Sequence, residues 1–115
     1  MTTFISQYWT CLLQVFVISG GFGNNTRLSS TEILIEGTAA WTAAGDLPSA
    51  RYGLTGASVD SSVLMLGGWG DTYLDTILRL DPDTLGWEEV GHMASARSGH
   101  GVTTLAARDI VQYCV

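Results

Sequence analysis

Apolar residues along this chain come in short continuous runs separated by polar turn sequences. Two runs, Val15–Ile18 and Val63–Leu66, are each followed almost at once by a pair of glycines. Runs of this length, rich in aliphatic and β-branched side chains, predict strands that are covered on both faces. Further strands are predicted over Glu32–Glu36 and Thr76–Leu80, each followed by a turn sequence. No long segment shows helical spacing, so the pattern predicts an all-β protein.

The predicted strands recur because the sequence repeats itself after 46 residues. Laying residues 34–53 over residues 80–99 gives eight identities in twenty positions, whereas composition alone predicts about one or two. The identities are Leu34/Leu80, Thr38/Thr84, Trp41/Trp87, Gly45/Gly91, Ser49/Ser95, Ala50/Ala96, Arg51/Arg97 and Gly53/Gly99. The glycine pairs Gly20-Gly21 and Gly67-Gly68 recur after 47 residues, so one residue is lost between the second pair and Leu80. A period of this length indicates one supersecondary unit that is repeated.

Each repeat contains the signals of four short strands. Small-residue segments, residues 53–59 and 99–105, supply one strand of each unit, and Trp41 and Trp87 open a short last strand that Gly45 and Gly91 close. Four short strands with turns between them describe one antiparallel sheet of the kind that stacks radially in a β-propeller.

Bulk composition excludes several classes of function. Eleven acidic residues against five arginines and no lysine give a net charge of −6, so a nucleic-acid partner is not expected. The longest apolar run is far shorter than a membrane span, and no membrane contact is expected. Cys11 and Cys114 have no metal-ligand spacing. No Arg or Lys precedes Arg27 to form the positively charged start of a signal peptide, so Phe4–Ile18 is interpreted as strand. The compartment stays open, and Asn24 is a glycosylation acceptor only if the chain is secreted.

Several of these residues together resemble tandem kelch repeats. The matching features are Arg51-Tyr52-Gly53 and Arg97-Ser98-Gly99, the two glycine pairs, Leu47-Pro48, Asp81-Pro82, Trp41, Trp87 and Met93, which cover most of the chain from about residue 15 onward. The residues that carry the repeat structurally are Gly20, Gly21, Trp41, Gly53, Gly67, Gly68, Trp87 and Gly99. The sequence departs from the family pattern where Leu34 and Leu80 replace a tyrosine, and where residues 4–12 lack the Arg-x-Gly entry.

The resemblance implies an incomplete propeller of about 2.5 four-stranded blades. Blade 1 is expected at about residues 4–43 with a degenerate start, blade 2 at about 51–90, and the start of a third at about 97–115. A blade buries its apolar faces only against neighbours. The sequence therefore predicts a piece of a larger propeller, a short natural product, or an open arc that needs further blades or another chain.

Arg51 and Arg97 are the first candidates for contact with a partner. The resemblance implies that each lies at the start of an inner strand near the central channel, where arginines of kelch-type substrate adaptors contact acidic peptides. A guanidinium can grip a carboxylate in bidentate fashion. The alternative is structural: an arginine at a blade junction pairs with Asp46 or another local acid.

The loops that follow the glycine pairs differ most between the repeats, and loops on a repeated scaffold commonly carry recognition. Trp69 and Tyr73 in the second loop are residue types enriched at binding hot spots; packing against a neighbouring loop is the alternative. Trp41 and Trp87, by contrast, recur in register and are expected to fill the same gap in each blade.

Few residues stand in a pattern typical of a catalytic site, and no cofactor or metal is expected. His92 and His100 lack a third ligand in the pattern, and there is no phosphate-binding Gly-x-x-x-x-Gly-Lys loop. The leading hypothesis is a non-enzymatic module that holds a protein partner through its loops, with a substrate-adaptor or cytoskeletal role among relatives. The alternatives are a fragment of a kelch-fold enzyme, either a copper oxidase or a sugar-acid isomerase, and an actin-bundling scaffold.

Overall fold

A computed structural model of the protein describes residues 14–105. Within that range it is built of antiparallel strands and holds no helix, which confirms the all-β prediction. The strands are β1 (Val15–Ser19), β2 (Phe22–Gly23), β3 (Thr26–Arg27), β4 (Thr31–Ile35), β5 (Thr42–Ala44), β6 (Thr55–Val59), β7 (Ser62–Trp69), β8 (Tyr73–Leu80) and β9 (Trp87–His92).

Blade 2 is a four-stranded sheet in the order β6-β7-β8-β9, as the repeat predicts. Asp60 and Ser61 both have positive φ, which fits the two-residue turn between β6 and β7. The register places Met65 opposite Leu78 and Val63 opposite Leu80, so these four side chains share one side of the sheet. The ladder between β7 and β8 shifts between Leu66 and Gly68, where the glycine pair bends the strand.

Blade 1 is a three-stranded sheet in the order β1-β4-β5, with a hairpin of β2 and β3 at one end. Asn24 and Asn25 form the hairpin turn with φ of 52° and 60°, values that asparagine tolerates better than most residues. This hairpin accommodates the one residue by which the two repeats differ in length. The strand expected within residues 4–12 lies outside the described residues.

Several predicted strands begin or end at other residues in the structure, and two predictions differ more substantially. β9 does not close before Gly91 but continues through it to His92, because an irregularity opposite Ile77 and Leu78 lets the ladder resume. Residues 99–105, expected to supply the first strand of a third blade, form no strand and pair with no strand among the described residues. The remainder of that expected blade, residues 106–115, is outside the described range.

The two blades pack face to face, and the core lies between them. Met65, Leu78 and Leu80 are 9%, 1% and 7% exposed on the side of blade 2 that faces blade 1. At the outer edge, the indole of Trp87 reaches across and donates from Nε1 to the Thr31 hydroxyl at 3.0 Å and to the Gly45 carbonyl at 3.1 Å. Thr31 is itself buried and also shares a hydrogen bond with Ser19. The interblade contact therefore combines apolar burial with satisfied polar groups.

The main chain joins successive blades in the same way twice. The amide of Gly21 donates to the carbonyl of Arg51 at 2.8 Å, and the amide of Gly68 donates to the carbonyl of Arg97 at 2.9 Å. Gly67 has a φ of 67°, and a Cβ there would come within 2.5 Å of the Arg97 carbonyl oxygen. Glycine is required because the strand and the junction approach each other too closely for a side chain.

Candidate protein-binding face

The two loops that vary most between the repeats meet at one edge of the blade pair. Arg27, from the β2–β3 hairpin, donates from Nη1 to the Gly70 carbonyl at 2.7 Å and from Nη2 to Asp71 Oδ1 at 2.7 Å. The Asp71 side chain is 92% exposed, so this ion pair contributes little free energy. Its consequence is geometric: a residue of blade 1 holds the loop of blade 2.

Four aromatic side chains lie along this edge, and we call them the loop face: Phe22, Tyr52, Trp69 and Tyr73. Phe22 and Tyr52 form an edge-to-face pair with ring centroids 5.6 Å apart, and Trp69 and Tyr73 form a second pair at 4.7 Å. Reciprocal backbone hydrogen bonds between Tyr52 and Trp69, of 3.1 and 2.7 Å, connect the two pairs. These separations and tilts are those favoured by the quadrupoles of aromatic rings.

The loop face is held in place but remains accessible. Phe22 is 61% exposed, Tyr73 58% and Tyr52 38%. Each of these three rings contacts an aromatic partner and is nevertheless exposed, whereas Trp69 is half-buried. Large apolar groups that are exposed in one patch make the loop face a candidate interaction surface.

Two members of the loop face are candidates from the sequence. Trp69 and Tyr73 were expected in a recognition loop, and the structure brings them into contact with each other. Phe22 and Tyr52 were not singled out. A signal for Phe22 exists, because it follows the first glycine pair just as Trp69 follows the second. Tyr52 occupies the variable position of Arg-x-Gly, and only the fold reveals its pairing with Phe22.

Arg51 is buried beneath the loop face, with only 3% of its surface exposed. Its guanidinium donates from Nη1 to the Thr76 hydroxyl at 2.8 Å and from Nη2 to the Ser49 hydroxyl at 2.9 Å, and Nε donates to the Ser49 carbonyl at 3.2 Å. Desolvation lowers the pKa of Arg51, and the negative charge of Glu89 opposes that shift. These contacts favour the structural alternative, although the acceptors are hydroxyl and carbonyl oxygens rather than Asp46; contact with a partner stays a prediction.

Arg97 occupies the same position in the next repeat but has an exposed side chain. Its guanidinium contacts Ser95 alone among the described residues, through the hydroxyl at 2.6 Å and the carbonyl at 3.4 Å. Its backbone amide binds the Leu74 carbonyl, as that of Arg51 binds the Leu28 carbonyl. The two arginines therefore have equivalent backbone positions, but the Arg51 side chain is buried and the Arg97 side chain is exposed.

His92 and His100 have different surroundings. The imidazole of His92 lies between Asp75, 3.0 Å from Nδ1, and Glu89, 2.9 Å from Nε2. The hydrogen bond to Asp75 is the main cause that raises the pKa of His92 above its usual 6.5. His100 instead lies beside Gly67, the first glycine of the second pair. Among residues 14–105, no group of three or more potential metal ligands is assembled.

Nothing between residues 14 and 105 forms a helix with the length and apolar character needed to cross a bilayer.

Sequence comparison supplies the family. No protein-family model matches the chain. Kelch-like protein 36 of Rattus norvegicus and that of Mus musculus are each 32% identical over 104 residues, which are 88% of this chain. The protein of the same name from Bos taurus is 31% identical over the same length. These matches agree with the repeat and with the four-stranded blade. The chain belongs to the kelch-repeat family.

The chain spans 17% of the length of those relatives. A probable serine/threonine-protein kinase of Dictyostelium discoideum is also 30% identical over 109 residues, which are 8% of its length. The chain contains neither the His-Arg-Asp nor the Asp-Phe-Gly sequence of a protein kinase. Leu80 stands where the kelch pattern has a tyrosine. Its side chain lies in the core and is 7% exposed.

Proposed function

We propose that this kelch chain is a non-enzymatic protein-interaction module that binds a protein partner through the loop face. The observation that carries the proposal is the row of exposed aromatic rings fixed at the junction of two blades. Tyr and Trp are enriched among the residues that dominate binding energy at protein interfaces. Phe22 and Tyr73, the most exposed members, are the anchors that we expect a partner to cover.

The way the face is held supports binding without a large cost in ordering. The part-buried hydrogen bond from Arg27 to the Gly70 carbonyl joins the two loops, and the paired backbone hydrogen bonds of Tyr52 and Trp69 hold together the segments that carry the rings. Immobilising each flexible side chain on association costs about 0.5–1.5 kcal/mol. A face that is ordered beforehand avoids much of that cost, which favours recognition of a partner over a purely packing role.

The two junction arginines take different parts in the proposal. Arg97, with its exposed guanidinium, is proposed as a contact for an acidic group of the partner. Arg51 is proposed to act indirectly, because its hydrogen bonds to Ser49 and Thr76 hold the junction on which Tyr52 lies. A substrate-adaptor role, a cytoskeletal role and actin bundling are narrower versions of the same proposal.

Affinity capture with the full chain tests this function. The wild-type chain is compared with a Phe22→Ser, Tyr73→Ser double variant, and proteins captured by the wild type are then purified and measured for direct binding. We expect the double variant to lower affinity by about 700-fold, since two hot-spot side chains of about 2 kcal/mol each together contribute about 4 kcal/mol.

Phe16→Ser is the matched control, because Phe16 is 55% exposed but lies on β1, outside the loop face. Equal loss of binding in the control would contradict the proposed site. Metal analysis, a sugar-oxidation assay and a mutarotation assay of the same preparation address the enzymatic alternative. Turnover in either activity assay would contradict a non-enzymatic role.

A further inference from the structure

A cavity of about 240 Å³ lies between the two blades, at the end opposite the loop face. The loop face follows the end of β7, whereas the cavity borders the β6–β7 turn and the β8–β9 loop. Its walls are apolar: Val17 and Ile33 line it from blade 1, and Val63 and Leu80 line it from blade 2. Ser61, in the exposed turn, supplies the one polar side chain of the lining. A cavity with so few polar partners suits an apolar ligand better than ordered water.

The cavity lies where this chain departs from the kelch pattern. Leu80, at the tyrosine position, lines the cavity and is itself only 7% exposed. Protein interiors are close-packed, and a leucine at a position suited to a tyrosine leaves the space of an aromatic ring incompletely filled. An apolar cavity of about 150 Å³ is large enough to hold benzene. The larger space beside Leu80 therefore accommodates one aromatic ring together with a short alkyl chain.

Leu85 borders the cavity in a strained backbone conformation. Its φ is 60°, which is an outlier for a bulky side chain, and its equivalent in the first repeat is Ala39. Two hydrogen bonds of 2.7 Å hold it there, one from its amide to the Asp81 carbonyl and one from the Gly45 amide to its own carbonyl. The second bond ties the β8–β9 loop to blade 1. Backbone strain of this kind is concentrated at ligand clamps, and here it places the Leu85 side chain against the cavity.

The rim of the cavity is acidic. Four carboxylates are each next in sequence to a lining residue: Glu36, Asp60, Asp81 and Asp83. Among the described residues, no salt bridge involves any of these four. The nearest arginine in the sequence, Arg79, lies on the opposite side of β8 from Leu80 and already binds Glu88 at 2.7 Å. The negative charge of the rim therefore attracts a cationic group and repels an anionic one.

We propose that this cavity binds a small amphiphilic cation, namely an aromatic ring with a short alkyl chain that ends in an ammonium group. The ring occupies the space beside Leu80 between the blades, and the ammonium group stands among the rim carboxylates. The hydroxyl of Ser61 accepts a hydrogen bond at the same rim. This site is separate from the loop face, so its failure leaves the proposed protein-binding function standing.

NMR titration of the 115-residue chain tests the proposal with three probes that share a phenyl ring and differ in charge. At neutral pH, phenethylamine is cationic, phenethyl alcohol is neutral and phenylacetate is anionic. We expect saturable shifts of the Val17, Val63 and Leu80 methyl signals, with a Kd of about 0.1–1 mM for the amine. The alcohol should bind about threefold more weakly and phenylacetate at least about tenfold more weakly, and salt should reduce both differences.

Two variants separate the cavity from its rim. Leu80→Tyr installs the residue of the kelch pattern and fills the space, so phenethylamine should bind at least about tenfold more weakly while circular dichroism shows a folded chain. An Asp60→Asn, Asp83→Asn double variant removes two exposed rim charges, so the amine should bind about as weakly as the alcohol. Glu32→Gln is the matched control, because the exposed Glu32 lies on the side of β4 opposite Ile33, and it should change affinity by less than about twofold.

Several results would overturn the proposal. The first is the absence of saturable shifts at the lining methyl groups with all three probes. The second is undiminished binding of phenethylamine to folded Leu80→Tyr, which would place the ligand elsewhere. Equal affinities for phenethylamine and phenylacetate, or equal effects of Glu32→Gln and the double variant, would overturn the assignment of a cation. If Leu80→Tyr fails to fold, the double variant alone decides, since both of its substitutions are at exposed residues.

Discussion

The indole of Trp87 and the hydroxyl of Thr31 form a hydrogen bond of 3.0 Å across the junction between the blades. The two residues are 56 positions apart in the chain, and Thr31 is only 1% exposed. Trp41, the repeat equivalent of Trp87, is 44% exposed at the same place in blade 1. One tryptophan thus contributes to the core while its counterpart faces outward.

Replacing Trp87 by Phe should therefore destabilise the chain more than replacing Trp41 by Phe. Trp87→Phe removes the donor to Thr31 and Gly45, with an expected loss of about 1–3 kcal/mol in the free energy of unfolding. Trp41→Phe is expected to change it by less than about 0.5 kcal/mol. Urea unfolding measures both, and similar losses in the two variants would contradict the assigned interface.

Replacing Arg51 by Ala should likewise destabilise the chain more than replacing Arg97 by Ala. Arg51→Ala leaves the hydroxyls of Ser49 and Thr76 without their charged donor, and we expect a loss of at least about 2 kcal/mol in unfolding free energy. Arg97→Ala should cost less than about 0.5 kcal/mol because its side chain is exposed. Thermal melts test stability and partner binding tests function. Intact stability with lost binding in Arg51→Ala would support the direct partner contact instead.

Gly67, the first glycine of its pair, should be more sensitive to substitution than Gly21, the second glycine of the other pair. A Cβ on Gly67 would meet the Arg97 carbonyl oxygen, whereas a Cβ on Gly21 would have no heavy atom within 4 Å. Both residues have positive φ, so alanine is strained at either position, by about 1–2 kcal/mol. Gly67→Ala should cost at least about 1 kcal/mol more than Gly21→Ala, because of the added backbone clash. Equal urea midpoints for the two variants would contradict this prediction, because they would show that the junction widens to accept the added methyl group.

His92 should make stability depend on pH. Its pKa is raised in the folded state, chiefly by Asp75 and further by Glu89, so folding favours the protonated imidazole. That contribution is complete below the ordinary value of 6.5 and is lost as the pH rises through the raised value. NMR titration should show Asp75→Asn lowering the pKa of His92 more than Glu89→Gln does. In His92→Gln, the decline of melting temperature above pH 6.5 should be smaller than in the wild type.

Local patterns predicted the fold because each strand is encoded close by in sequence. The apolar run at Val63–Leu66 and the turn at Asp81-Pro82 identified β7 and the end of β8, and the repeat identified how they stack. The extent of β9 was missed because its ladder resumes after an irregularity that depends on the partner strand. Such registers are properties of a pair of strands, and a single strand sequence does not contain them.

The candidate site was harder to predict because its contacts join distant loops. Trp69 was identifiable by residue type, but its link to Tyr52 and the bond between Arg27 and Gly70 cross from one repeat to the other. The burial of Arg51 and exposure of Arg97 could not be read from identical motifs. Their difference comes from Thr76 of blade 2, which accepts a hydrogen bond from the Arg51 guanidinium.

One link between successive blades is made by peptide groups alone, since the Gly21 amide binds the Arg51 carbonyl and the Gly68 amide binds the Arg97 carbonyl. Peptide groups are the same whatever the side chain, so loops such as residues 22–27 and 69–73 can diverge without altering the angle at which units succeed one another. Duplicated units of this kind are free to acquire separate specificities while the geometry of the array is inherited unchanged.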